Sequence, residues 1–220
     1  MNEVNVSVAH GQQSAVEVNK VLKNTYLLLA LTLAFSAFTA MLSFNARPVG
    51  LLPMIVGFYG LLFLTHKLAN SAWGLLSVFA FTGFIGYTLG PVISAILSFP
   101  GGSEIVAKAL GGTAFIFFGL SGYALVSRKD FSFLSGFLFA GFLVLLAAIV
   151  IQIFWPMPAL QLALSVGFIL FSSAAILFQT SEIVRGGERN YILATVTLFV
   201  SLYNIFISLV HLLMAFAGDE

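Results

Sequence analysis

Residues Tyr191–Ala217, YILATVTLFVSLYNIFISLVHLLMAFA, decide the fold class of this chain, because they contain no aspartate, glutamate, lysine or arginine. A run of about 20 apolar residues is long enough to cross the hydrocarbon core of a bilayer as an α-helix. The rest of the chain has the same character, since 60% of its 220 residues are hydrophobic and only 8% are charged. The sequence therefore predicts a protein that crosses a membrane several times.

Six further apolar stretches precede this one and are separated by short gaps. They are Thr25–Phe44, Val49–Leu64, Ala72–Leu97, Ile105–Val126, Phe131–Phe154 and Ala159–Phe178. Their length favours helices, because barrel strands need only about ten alternating residues and an open sheet edge is not stable in lipid. We expect an all-α, seven-helix transmembrane bundle over residues 24–217, with a flexible N-terminal tail at 1–23 and a short C-terminal tail at 218–220.

The basic residues predict the orientation of the chain, because such residues collect in cytoplasmic loops. If all seven stretches cross, the side of the N-terminus holds seven basic residues, whereas the opposite side holds only Arg47 and Lys108. The seven are Lys20, Lys23, Lys67, Arg128, Lys129, Arg185 and Arg189. The contrast would be weaker if the short second stretch did not cross. We therefore expect seven crossings, a cytoplasmic N-terminus and a C-terminus on the outer side.

Small residues recur at helical spacing in the third and fourth stretches. The third carries Gly83, Gly86, Gly90 and Ser94, and the fourth carries Gly112, Gly119 and Gly122. Stripes of this kind let two helix backbones approach closely in a membrane, where no hydrophobic force drives helices together. We expect both stripes to be helix-packing surfaces.

Polar residues form stripes in the first, sixth and seventh stretches. These stripes should face one another inside the bundle, because polar side chains are costly against lipid. They consist of Thr25, Thr32, Ser36, Thr39 and Ser43 in the first stretch, of Ser165, Ser172 and Gln179 with Glu182 one turn further on in the sixth, and of Thr197, Ser201, Asn204, Ser208 and His211 in the seventh.

Two interpretations of the polar stripes remain open. The first is that their side chains only hold helices together through hydrogen bonds. The second is that they line a hydrated path for an ion. A cation path usually includes an intramembrane carboxylate, and no stretch has one in its interior. His211 also has two interpretations. It is either a hydrogen-bonded residue at the membrane interface or a group whose protonation changes near neutral pH.

No motif in the sequence indicates catalysis. The chain has no cysteine, and it contains neither HExxH, nor a P-loop, nor GxSxG. Its formal net charge of +1 offers no basic surface for nucleic acid. We expect a protein that is not an enzyme and that has no cofactor and no metal site. The most charged loop, Thr180–Asn190, is either a solvated turn or a docking surface for a cytoplasmic partner.

Four segments carry a family resemblance that extends from about Val18 to Ala217. They are KVLKNTYLLLALTLAFS at Lys20–Ser36, FTGFIGYTLGP at Phe81–Pro91, RKDFSFLSG at Arg128–Gly136 and FQTSEIVRGGERNYILATVTLFVSLYNIFISL at Phe178–Leu209. In these segments the chain resembles the Bax-inhibitor family of multispanning membrane proteins, and most closely its bacterial YccA branch. The resemblance implies seven helices, of which six surround the seventh.

Several members of that family are proposed to leak calcium in a pH-dependent way through two aspartates that share protons. The resemblance places those aspartates at Gln179 and Ser201, neither of which can ionise, whereas Asn204 matches the family pattern. Glu182 lies one turn from Gln179 and is a different position. A sensor of this kind needs two like charges that raise the pKa of one carboxylate, so it cannot operate here as it does in the family.

The YccA branch implies a second role in the bacterial inner membrane, which is to bind and restrain the ATP-dependent protease FtsH together with its HflK–HflC partners. Proteins of this branch are also slow substrates of that protease, which engages an exposed cytoplasmic tail. We therefore expect a modulator of a membrane protease. A pH-sensitive calcium or other cation leak is the alternative, and a scaffold whose polar stripes only join helices is the third hypothesis.

Overall fold

The computed structural model describes the backbone of residues 2–217 and the side chains of residues 16–217. This part of the chain contains no strand, and each of its helices includes a segment long and apolar enough to cross a membrane. The prediction of an all-α, seven-helix, multi-pass membrane protein is confirmed. The helices are α1 Asn2–Leu42, α2 Leu51–Leu68, α3 Gly74–Leu97, α4 Gly102–Ser127, α5 Leu134–Phe154, α6 Pro158–Arg185 and α7 Tyr191–Ala217.

The helices differ from the predicted stretches mainly at their ends. The backbone of α1 is helical from Asn2, through the segment that we expect to be a tail, and its apolar span begins at Val16. The flexibility of that segment stays a prediction, and the short tail at 218–220 lies outside the described residues. α6 continues past Phe178 to Arg185, because Gly186 with φ of 78° ends the helix in a left-handed C-cap.

α7 is the most buried span, with 61% of its most apolar window inside the structure. It packs against α1, α3, α4 and α6, and its residues Leu198, Phe199 and Ile205 belong to the main apolar core. α2 packs mainly on α3, and α5 packs on α6 without a single buried residue. An arrangement of all six helices around the seventh is therefore not confirmed, since four helices are its main neighbours.

The glycine stripe of α3 packs closely against α1, as the spacing predicts. A Cβ atom at Gly86 would overlap the carbonyl oxygen of Ser36, and a Cβ atom at Gly90 would overlap the Ser43 hydroxyl and the Ala40 carbonyl oxygen. Only glycine lets two helix backbones come this near to each other. The contact fixes α1 against the bundle over the C-terminal half of its span.

The glycine stripe of α4 is only in part a packing surface. A Cβ atom at Gly112 would lie 3.0 Å from Leu209 Cδ1 of α7, but at Gly119 and at Gly122 it would meet no atom within 4 Å. The prediction of close packing is wrong for these two glycines. Helical spacing shows that residues share a face, but it does not show whether a neighbour covers that face.

Three loops meet on the side of the bundle where the α1 span begins, which we call the N-terminal face. Asn190 Nδ2, before α7, donates to the Ala69 carbonyl at 3.1 Å and to Asn70 Oδ1 at 2.7 Å, both between α2 and α3. Ser181 Oγ, near the end of α6, donates to the Lys129 carbonyl at 3.0 Å between α4 and α5. This arrangement requires that α2 returns to the face from which α1 starts, as seven successive crossings demand.

Candidate functional site

Gln179 and Ser201, the two positions where the resemblance places proton-sharing aspartates, are both buried, with exposed fractions of 6% and 4%. Gln179 Nε2 has no hydrogen-bond partner within the described residues. Ser201 Oγ donates to the Thr197 carbonyl of its own helix at 2.8 Å. The structure therefore keeps both positions inside the protein but puts no ionisable group at either. A pair of coupled carboxylates cannot form from these two side chains.

The other three predicted site residues are less buried. Glu182 is half-buried near the end of α6, where its backbone carbonyl accepts the N–H of Gly187 at 2.9 Å and that of Glu188 at 3.1 Å. Asn204 and His211 are half-buried along α7. Glu182 thus lies at the N-terminal face, and the structure does not bury it as it buries Gln179.

Most hydroxyl groups of the polar stripes bond to carbonyls of their own helix. Thr32 and Thr39 do so on α1, Ser165 on α6, and Thr197 and Ser201 on α7, while Ser43, just after the end of α1, bonds back to its last turn. Such bonds satisfy a buried hydroxyl locally and need no ligand. Thr195 adds a bond between helices, because its Oγ1 donates to the Thr25 carbonyl at 3.2 Å as well as to the Tyr191 carbonyl. These geometries agree with the adhesive interpretation.

Three buried polar atoms have no hydrogen-bond partner among the described residues. They are Thr25 Oγ1 on α1 and Ser172 Oγ and Gln179 Nε2 on α6. An unpaired buried polar group costs about 1–3 kcal/mol, and buried water is the usual partner of such a group. All three belong to stripes that the sequence analysis singled out. They are the observation that favours a hydrated region beside α1 and α6.

A cluster of three hydroxyl groups joins α1, α4 and α6, and the sequence analysis did not predict it. Tyr26 Oη lies 2.8 Å from Ser121 Oγ, and Ser121 Oγ lies 3.2 Å from Thr180 Oγ1. Ser121 and Thr180 are buried. We call Tyr26, Ser121 and Thr180 the hydroxyl cluster. The only sequence signal is a lone serine within an apolar span, which does not reveal its partners on two distant helices.

A cleft of about 770 Å³ opens on the N-terminal face, between the start of the α1 span, the end of α4 and the α6–α7 loop. Four basic side chains and two acidic ones line it, and Tyr191 borders it at the start of α7. The charged residues are Lys20, Arg128, Arg185 and Arg189 on the one hand and Glu17 and Glu188 on the other. The cleft therefore has an excess of positive charge.

Hydrogen bonds and an ion pair hold the loops around this cleft in place. Arg185 forms an ion pair with Asp130 of the α4–α5 loop. A hydrogen bond from the Ser132 N–H, together with the nearby Arg185 guanidinium, holds the pKa of Asp130 below its ordinary value. Asn190 Oδ1 accepts the N–H groups of Ile192 and Leu193 and so caps α7. The charged segment Thr180–Asn190 is thus the end of one helix and an ordered turn.

These features define the class, which is a multi-pass α-helical membrane protein with buried polar stripes and a basic cleft on one face. A family model described as "Inhibitor of apoptosis-promoting Bax1" matches residues 18–218. The chain belongs to this Bax-inhibitor family, and the resemblance drawn from its sequence is confirmed.

The relatives identify the branch within that family. The chain is 55% identical over 210 residues to the modulator of FtsH protease YccA of Escherichia coli K12, which covers 94% of this chain and 95% of that protein. An inner membrane protein YccA from a second Escherichia coli strain is also 55% identical over the same coverage. An uncharacterized protein of Pseudomonas aeruginosa is 56% identical over 206 residues, or 93% of each chain.

Proposed function

We propose that this protein is a non-enzymatic modulator of the membrane-anchored protease FtsH in the bacterial inner membrane, acting as an inhibitor and a slow substrate. The observation that carries the proposal is 55% identity, over 94% of the chain, to a protein named as a modulator of that protease. The alignment extends over 210 residues. The HflK–HflC complex is the further partner that the family branch implies.

The distribution of charge supports an orientation in which the N-terminal face is cytoplasmic. Seven of the nine lysines and arginines lie at that face, either in the first turns of the α1 span or at the loops and helix ends that meet there. The positive-inside rule then puts the N-terminus in the cytoplasm and the C-terminus in the periplasm. In this orientation the polar segment before Val16 faces the compartment in which an ATP-driven protease pulls on its substrates.

The packing of α1 supports slow extraction. A protease that pulls on the N-terminus meets α1 first, and α1 is held against α3 at Gly86 and Gly90 and tied to α4 by Tyr26 and Ser121. Each contact must break before the first helix leaves the bundle. The protease then stays bound to a chain that it unfolds only slowly, and during that time it does not degrade other substrates.

Deletion of residues 2–15 tests this mechanism. It removes the N-terminal segment on which the protease is proposed to pull, and it leaves every described side-chain contact in place. We expect the shortened protein to bind FtsH in proteoliposomes with ATP but to resist degradation. Deletion of residues 218–220 at the opposite end is the matched control and should leave degradation unchanged. Rapid degradation of the protein that lacks residues 2–15 would contradict the mechanism.

A pH-sensitive calcium or cation leak is the second candidate function. The observation that favours it is the set of unpartnered buried polar atoms at Thr25, Ser172 and Gln179, since water there would form part of a path. The neutral side chains at Gln179 and Ser201 argue against it, because a buried cation needs a compensating negative charge. Calcium flux into liposomes separates the two candidates.

A further inference from the structure

An apolar groove lies along α1, beyond the basic cleft. α1 and α4 each pack against α3, α6 and α7, so the two helices flank α7 with a gap between them. That gap forms a groove of about 640 Å³ whose walls include Leu33 of α1 and Phe118 of α4, and whose floor includes Phe206 of α7. Its lining is almost entirely apolar, and it lies within the membrane-spanning part of the bundle.

The surface between the cleft and the groove is open on the α4 side. Leu125 lines the cleft and Phe118 lines the groove. Gly122 falls between them on the same face of α4, by i, i+4 and i+3 spacing. A Cβ atom at Gly122 would meet no atom within 4 Å. The missing side chain leaves space on this face of α4 beside the Tyr26–Ser121 hydrogen bond, which joins α1 and α4 at the same level. We call the charged cleft, this space and the apolar groove together the furrow.

The charges at the cleft favour an anion. Arg185 is neutralised in part by Asp130, and Glu188 Oε1 accepts the Asn190 N–H at 2.7 Å within its own loop. Lys20, Arg128 and Arg189 then lie beside Glu17 and Glu188, whose carboxylate stays charged when it accepts an N–H, so the lining keeps one excess positive charge. Within residues 16–217, Arg189 donates through its Nε to the Gly186 carbonyl and makes no second hydrogen bond. A guanidinium has five N–H donors in a fork that matches phosphate geometry.

The dimensions of the groove fit an acyl chain. Its lining follows α1 from Tyr26 to Met41, which spans about 23 Å at the helical rise per residue. One leaflet of the hydrocarbon core is only about 15 Å thick. The groove is therefore long enough for a lipid tail that starts at the cleft.

We propose that the furrow between α1 and α4 binds an anionic phospholipid, with its phosphate at Lys20, Arg128 and Arg189 and one acyl chain in the groove past Gly122. A basic pocket at the membrane surface combined with an apolar slot recognises both halves of such a molecule. The site does not depend on the proposed role in proteolysis, because the lipid contacts are made by this chain alone.

Native mass spectrometry of the purified full-length protein tests the site. The protein in detergent is titrated with dioleoylphosphatidylglycerol or with zwitterionic dioleoylphosphatidylcholine. We expect selective retention of phosphatidylglycerol. Replacement of Arg128 and Arg189 by glutamine should weaken it by about 25-fold, at roughly fivefold for each basic side chain near an anionic lipid. Arg47→Gln, which removes a basic side chain on the opposite face, is the control.

A second pair of variants tests the furrow itself. Gly122→Phe puts a ring between the cleft and the groove and should reduce retention of phosphatidylglycerol, whereas Gly60→Phe places the same ring at another open helix surface, on α2, and should not. Equal retention of the two lipids by the native protein would overturn the proposal. So would undiminished retention of phosphatidylglycerol in either the double arginine variant or Gly122→Phe.

Discussion

At the scale of single residues, the positions that matter most are those where the structure tolerates only one kind of side chain. Gly86 and Gly90 admit no Cβ atom because the backbone and hydroxyl groups of α1 occupy that space. Gln179 and Ser201 are buried without charge where the family resemblance places carboxylates. Each of these positions leads to a prediction that needs only one or two substitutions.

Gly90→Leu should destabilise the bundle strongly. Overpacking a well-packed interior costs about 1–3 kcal/mol, and here the clash is with the Ala40 carbonyl of α1 as well as with a side chain, so we expect about 3 kcal/mol or more. Unfolding by sodium dodecyl sulfate in mixed micelles, followed by circular dichroism, measures the change. Gly60→Leu, where a Cβ atom meets nothing within 4 Å, should stay within about 0.5 kcal/mol of the native protein.

The double variant Gln179→Asp, Ser201→Asp should acquire a pH-dependent calcium leak that the native protein lacks. The family resemblance implies that aspartates at these two positions share protons, and like charges that interact in this way raise one pKa toward neutrality, so that proton uptake changes the path. Calcium flux into liposomes from about pH 5 to about pH 8 covers the titration range of such a pair. A leak through the native protein would place the transport function first.

At the scale of helices, contacts between elements distant in sequence hold the N-terminal face together. The hydroxyl cluster joins α1, α4 and α6, and Asn190 ties the α6–α7 loop to the α2–α3 loop. The sequence predicted the helices themselves because a long apolar run permits no other structure in lipid. It could not predict these contacts, since no local pattern encodes which face of α4 meets α6, and for the same reason it misassigned Gly119 and Gly122.

Ser121→Ala should loosen the attachment of α1, because Ser121 lies between Tyr26 and Thr180 in the hydroxyl cluster. Interhelical hydrogen bonds in membranes contribute on average about 0.6 kcal/mol each, so the loss of both bonds should cost about 1 kcal/mol. The same unfolding measurement applies, with the exposed Ser103→Ala on α4 as the control. If the two variants are equally stable, the cluster does not contribute to the anchoring of α1.

At the scale of the whole molecule, the candidate site shows where prediction from sequence ends. The polar stripes were visible as spacing, and the structure shows that most of their hydroxyls bond within their own helix. The basic cleft could not be predicted from the sequence, because its lining residues come from α1, α4, α6 and the loop before α7, which are distant from one another along the chain. The family model and the identity with a protein named as a modulator of FtsH assign the family, and the proposed function adds that the close packing of α1 slows its extraction.

The most direct test of the protease role is the rate at which purified FtsH degrades a reference membrane substrate in proteoliposomes as this protein is added. The account predicts that degradation slows in proportion to the amount added. The protein itself should disappear more slowly than the reference substrate, and the inhibition should be lost when residues 2–15 are deleted. An unchanged rate of degradation at every amount added would contradict the assignment as a modulator of FtsH.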